Sequence, residues 1–136
     1  MEKKYLYLIR GTSGSGKSTL AETMAKSLGG KSFAADDFFM VGSEYKWDPL
    51  KLGEAHAWCQ NAVEEELQLG SGIAIVHNTL VTEKQVAEYT VIAERTGAKL
   101  ISLIVERRHT GKNVHGVPDE KLKQQARQLM QAIKLC

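Results

Sequence analysis

Gly11-Thr12-Ser13-Gly14-Ser15-Gly16-Lys17-Ser18 satisfies the spacing G-x-x-x-x-G-K-[ST] at every position, with Thr19 following. Each residue type in that pattern has a task in holding a polyphosphate. Glycines let the main chain curl close around phosphate oxygens and turn successive N–H groups inward. A helix beginning there adds the positive end of its dipole. An ammonium at Lys17 would bridge the β- and γ-phosphates, and a hydroxyl at Ser18 would hold Mg²⁺. The implied ligands are a nucleoside triphosphate and magnesium: ATP, with GTP not distinguished by these residues. A plain Gly- and Ser-rich turn is the competing reading, but it has no need of Lys followed by Ser at this spacing.

Asp36-Asp37 is the second group with chemical potential. Phosphoryl transfer needs an acceptor hydroxyl held in line and relieved of its proton, a task suited to a fixed carboxylate. Asp36 is the candidate base, and Asp37 is a candidate magnesium-site residue, through a metal-bound water, or a cap for the following turn. The competing reading is an Asp pair capping a short helix that starts at Phe38. His56, His77, Tyr45 and Trp47 are open in the same way. Each histidine is either a site residue or a satisfied structural imidazole, and each aromatic is either a stacking platform or a plug over the core.

These groups need elements to position them. Tyr5 to Arg10 reads as a buried strand that stops at Gly11, and Leu20, Met24 and Leu28 give helical spacing from Lys17 until Gly29-Gly30. Lys31 to Ala35 is a weaker strand, and Phe38 to Pro49 reads as loop. Leu52, Ala55, Cys59, Ala62, Val63 and Leu67 mark one face of a helix from about Lys51 to Leu69. Ile73 to His77 is a compact strand. Thr82-Glu83-Lys84-Gln85 has capping-box form ahead of a helix to Thr96. Lys99 to Val105 is the most apolar strand, and Pro118 opens a last helix to about Lys134.

Strand and helix alternate four times, the pattern of a three-layer α/β/α domain with a parallel sheet and helices on both faces. Such sheets take ligands at the carboxyl ends of their strands. Gly11, Asp36, Asn78 and the segment after Val105 would all fall there.

Further stretches carry a family resemblance. Tyr45, Trp47-Asp48 and Ala55-His56 with Cys59, then Asn78-Thr79, then Asn113-Val114-His115-Gly116-Val117-Pro118, join the Gly11 loop and the Asp pair. Together they resemble the kinase domain of bacteriophage-type polynucleotide 5′-kinases and their relatives in the P-loop kinase group, zeta-toxin-like kinases included. The resemblance implies a four-stranded sheet in the order 2-3-1-4, with Asp36 as general base and Lys17 and Ser18 at phosphate and magnesium. It also implies a lid over about residues 106–117, whose cations Arg107, Arg108 and Lys112 close over the phosphates and offset transition-state charge. The chain departs from these relatives at His77, where they carry Asp, at Leu80, where they carry Asn, and at Lys112, where they carry Arg.

The implied activity is ATP- and Mg²⁺-dependent phosphorylation of a polynucleotide 5′-hydroxyl end. A small hydroxyl acceptor (nucleoside, sugar or antibiotic) and a nucleotide-binding regulatory module are the alternatives. At 136 residues, 43% of them apolar, one domain is expected. A net charge of +2 is too slight to mark a nucleic-acid binder by field alone. Cys59 and Cys136 form no metal or disulfide pattern, and no signal or membrane-spanning run is present, so a cytoplasmic protein is expected. Oligomeric state leaves no trace in the sequence.

Overall fold

The computed structural model describes residues 3–106 and 117–134. Strands β1 (Tyr5–Arg10), β2 (Lys31–Phe33), β5 (Ile73–Val76) and β6 (Lys99–Ile104) form one sheet. A two-stranded hairpin, β3 (Met40–Val41) with β4 (Glu44–Tyr45), stands apart from it. Helices α1 (Lys17–Leu28), α2 (Leu52–Leu69), α3 (Glu83–Thr96) and α4 (Asp119–Gln131) complete the chain. The sheet runs β2-β5-β1-β6 with every neighbour parallel, which is the expected order of the four main strands.

The two-residue period of β1 divides its side chains between two helical layers. Leu6 and Leu8 join Ala74, Val76 and Phe33 against Ala55, Cys59, Val63 and Leu67 of α2 and against Tyr89, Ile92 and Ala93 of α3. Ile9 and Ile75 face the other way, onto Ala21, Met24 and Ala25 of α1. The central pair is locked in register, with Leu6 beside Ala74 and Leu8 beside Val76.

Helix α1 turns inward only part of the stripe that its apolar spacing suggests, with Met24 packed against Ile9 and Ile75. Ala21 is buried while Leu20 and Leu28 are each exposed to about the same degree as ordinary surface residues, at 38% and 42%. Lys17 and Ala21 lie one turn apart on one stripe, so the need to aim Lys17 into the site fixes the rotation of the helix. Helix α2 buries Ala55, Cys59, Val63 and Leu67 as expected. The capping box of α3 forms fully, with Thr82 Oγ1 accepting from Gln85 N–H at 3.3 Å and Gln85 Oε1 accepting from Thr82 N–H at 3.2 Å.

Three segments differ in detail from the expectation. Strand β2 stops at Phe33, because Ala35–Phe39 winds into a 3-10 turn that carries both Asp residues in its first turn. The stretch expected as loop holds the β3–β4 hairpin and a second 3-10 turn at Pro49–Lys51, capped by Asp48 Oδ1 accepting from Leu50 N–H at 3.0 Å. Strand β6, for all its apolar side chains, is a sheet edge on which Leu103 and Ile104 reach the surface.

Candidate active site

The Gly11 loop closes tightly on itself. A Cβ on Gly11 would stand 2.8 Å from Ser15 Oγ and 3.0 Å from the Val105 carbonyl, so only glycine allows this approach. Gly14 and Gly16 take φ values of 80° and 96°, which L side chains rarely adopt. Gly11 N–H donates to Thr79 O at 3.1 Å, tying the loop to the end of β5. Ser13 N–H donates to Gln125 Oε1 at 3.0 Å, which brings α4 onto the loop.

Two features of this loop suit an anion. Ser15 Oγ is buried and has no hydrogen-bond partner among the described residues. Lys17 is 8% exposed, and its ammonium donates to Thr12 O at 2.9 Å. Burial pulls the Lys17 pKa down to about 8, against the opposing influence of the Asp36 charge. A desolvated ammonium with a glycine-lined concavity beside it gains most from a phosphate.

The Asp turn lies within electrostatic reach of Lys17. Tyr45 on β4 donates its hydroxyl to Asp36 Oδ1 at 3.1 Å. Burial and the Asp36 carboxylate together push the Tyr45 phenol up to about 12. Ala34 occupies the N-cap position of the turn and makes no side-chain bond, so the Asp pair lies within a turn rather than capping a helix from Phe38. The turn is fixed from behind by Asn78, whose Oδ1 accepts from Ala35 N–H at 2.7 Å. Asn78 Nδ2 donates to Tyr89 OH at 3.3 Å, and that hydroxyl donates in turn to Cys59 Sγ at 3.4 Å. Burial raises both the Tyr89 and the Cys59 pKa, so each keeps its proton and the chain of bonds stays neutral.

His77, next in the chain to Asn78, faces the loop. Its Nδ1 lies 3.3 Å from Ser18 Oγ. Burial lowers its pKa, opposed by the charge of Asp37, so the ring is held neutral. Magnesium binds proteins through one or two oxygen ligands and takes the rest from phosphates and water. Ser18 Oγ would supply one such oxygen with His77 Nδ1 beside it, and Asp37 reaches the same ring through its charge.

Arg10 closes the floor beneath the loop. It is 5% exposed, and its guanidinium donates to Leu80 O at 2.9 Å, Ser102 Oγ at 3.2 Å and Ala132 O at 3.4 Å. Leu80 itself has φ 48°, a left-handed conformation that Leu rarely adopts. The Arg10 bond to its carbonyl and the burial of the Leu80 side chain hold that backbone in place.

The structure thus brings Lys17, Ser18, Asp36 and Asp37 to one edge of the sheet. Arg107, Arg108 and Lys112, the expected lid cations, lie outside the described residues. Reading the sequence missed Arg10, Tyr89 and Gln125. A charged residue ending a buried strand was a usable signal for Arg10, whereas Gln125 reaches its partner across 112 residues and leaves no local mark.

A family model described as an AAA domain, AAA_33, matches residues 6–132. The chain belongs to that family. Over 125 residues this AAA domain is 30% identical to NEDD4-binding protein 2 of Homo sapiens, a match covering 86% of the chain and 7% of that protein. The chain therefore spans a small fraction of that relative's length. Among solved structures, a gluconokinase from Sinorhizobium meliloti aligns with a TM-score of 0.60 at 16% identity, covering 95% of this chain and 77% of that one. An APS kinase from Mycobacterium tuberculosis aligns with a TM-score of 0.55 at 14% identity, over 96% and 99% respectively. The AAA domain shares their α/β fold. No helix among its described residues is long and apolar enough to cross a membrane.

Proposed function

We propose that this domain transfers the γ-phosphate of a nucleoside triphosphate, ATP with Mg²⁺, to a hydroxyl, and that the hydroxyl is the 5′ end of a polynucleotide. The observation that carries transfer, rather than nucleotide binding alone, is the Asp36 carboxylate held by Tyr45 within electrostatic reach of the Lys17 ammonium. A carboxylate near the ammonium that would hold the γ-phosphate can take the proton of an attacking hydroxyl. Lys17 and the loop amides would hold the β- and γ-phosphates and offset the charge that builds on the equatorial oxygens. A bound Mg²⁺ would add Lewis-acid stabilisation of that charge. Asn78 and Tyr45 would keep Asp36 in place as the acceptor arrives.

The polynucleotide acceptor is favoured by the aromatic surface beside Asp36. Tyr45, Trp47 and Trp58 are 47%, 53% and 40% exposed, and Trp58 lies against Phe38, which follows the Asp pair. Exposed rings next to a phosphate site offer stacking faces for the bases of a single strand. A small hydroxyl acceptor is the second reading, favoured by the likeness in fold to a gluconokinase and an APS kinase. The test is transfer of label from γ-labelled ATP to a panel of 5′-hydroxyl oligonucleotides, nucleosides and sugars. Labelled oligonucleotide supports the first reading, and label on small alcohols alone replaces it with the second.

A further inference from the structure

The Ser18 hydroxyl is hydrogen-bonded to an imidazole. His77 sits at the end of the central strand β5, its backbone N–H bonded to Phe33 O at 3.0 Å, so its position is set by the sheet. Its Nδ1 stands 3.3 Å from Ser18 Oγ. In an octahedral cation shell with ligands at about 2.1 Å, neighbouring ligand atoms lie about 3 Å apart. The hydrogen-bonded Ser18 and His77 atoms therefore stand close to the spacing of two adjacent ligands of one ion. Asp37, Glu22 and Asp36 act on the same ring through their charges, opposed by the Lys17 ammonium, so three carboxylates and one cation surround the imidazole.

A pair made of a hydroxyl and an imidazole differs in kind from an all-oxygen set. Magnesium prefers hard oxygen ligands, whereas manganese, cobalt and zinc accept imidazole nitrogen more readily. We propose that His77 Nδ1 is a direct ligand of the cation that accompanies the nucleotide, beside Ser18 Oγ, and that this domain prefers Mn²⁺ or Co²⁺ to Mg²⁺ as a result. The proposal rests on nucleotide binding at the Gly11 loop. It assigns to His77 the choice of metal: in the Nε2–H tautomer the Nδ1 lone pair accepts from the Ser18 hydroxyl, and the ion would take that lone pair in its place.

The test uses the domain loaded with Mn²⁺ and ATP and reads nuclear modulation in pulsed electron paramagnetic resonance, which detects nitrogen bonded to Mn²⁺. The wild type gives an imidazole nitrogen coupling that changes to the ¹⁵N pattern on ¹⁵N-histidine labelling and vanishes in His77→Asp and His77→Asn. Asn places an oxygen near the position of Nδ1, so it serves where Asp disturbs the fold. In parallel, calorimetric titration gives the ratio of nucleotide affinities with Mn²⁺ and Mg²⁺, which falls about tenfold in His77→Asp. Tight binding of Mn²⁺ and ATP with no histidine nitrogen coupling overturns the proposal and leaves phosphotransfer standing. Failure to bind nucleotide with any metal overturns both.

Discussion

Lys17 is held in its folded environment with a pKa of about 8, and the cause is burial away from water. A polyphosphate laid against it would restore the ammonium's preferred state, so nucleotide binding must draw a proton from solvent. At pH 8 about half of the Lys17 side chains are neutral before binding, and at pH 9 about nine in ten are. If the bound ammonium returns to its ordinary range, uptake is about 0.1 proton per nucleotide at pH 7, about 0.5 at pH 8 and about 0.9 at pH 9. Affinity then falls about tenfold between pH 7 and pH 9, equivalent to about 1.4 kcal/mol. Calorimetric titration of ATP in two buffers of different ionisation enthalpy measures the uptake directly, and Lys17→Met should abolish it. A binding enthalpy that is independent of buffer at pH 8, or an uptake unchanged in Lys17→Met, refutes the reasoning. The same depressed pKa has a stability counterpart. Between pH 8 and 10.5 the unfolded chain binds a proton at Lys17 that the folded one does not, so this residue's contribution to stability rises with pH across that window.

Gly11→Ala drives a methyl group into Ser15 Oγ and the Val105 carbonyl, and should cost about 1–3 kcal/mol in urea unfolding while weakening nucleotide binding. Asn78→Ala leaves the Ala35 N–H and the Tyr89 hydroxyl without a partner they now have. Denaturant unfolding should show a loss of about 1–3 kcal/mol, and the rate of transfer should fall further than nucleotide affinity because the Asp36 turn loosens. Tyr45→Phe removes the hydroxyl that holds Asp36 but keeps the ring. Thermal stability should stay within about 0.5 kcal/mol while kcat falls by up to about tenfold, and an unchanged kcat would exclude Tyr45 from positioning the base.

Where the sequence spoke through short-range chemistry it was readable to the residue. The Gly11 to Ser18 spacing, the Thr82–Gln85 capping box and the αL glycine after α3 all act within four or five positions, and each stands where its pattern put it. The strand order followed from alternation together with the family resemblance, and it matches the observed sheet. The inner face of α1 was only partly readable from hydrophobic spacing, because Met24 packs inward while Lys17 and Ala21, not Leu20 and Leu28, are the buried positions. The shape of the Asp36 turn was hidden for a related reason. Its conformation is imposed by Asn78 from 43 positions away and by Tyr45 from a hairpin too short for a two-residue period to register. Arg10, whose partners lie 70, 92 and 122 residues away, belongs to the same class. Bonds between distant segments leave no periodicity in the chain.

The claim on which this account stands is that Asp36 acts on an acceptor hydroxyl beside a phosphate held by Lys17. Single-turnover transfer from γ-labelled ATP, compared between the wild type and Asp36→Asn at matched nucleotide occupancy, tests it most directly. Asp36→Asn is expected to bind ATP about as well as the wild type and to transfer phosphate slower by about 10²–10⁴-fold. Transfer by Asp36→Asn at the wild-type rate would contradict it.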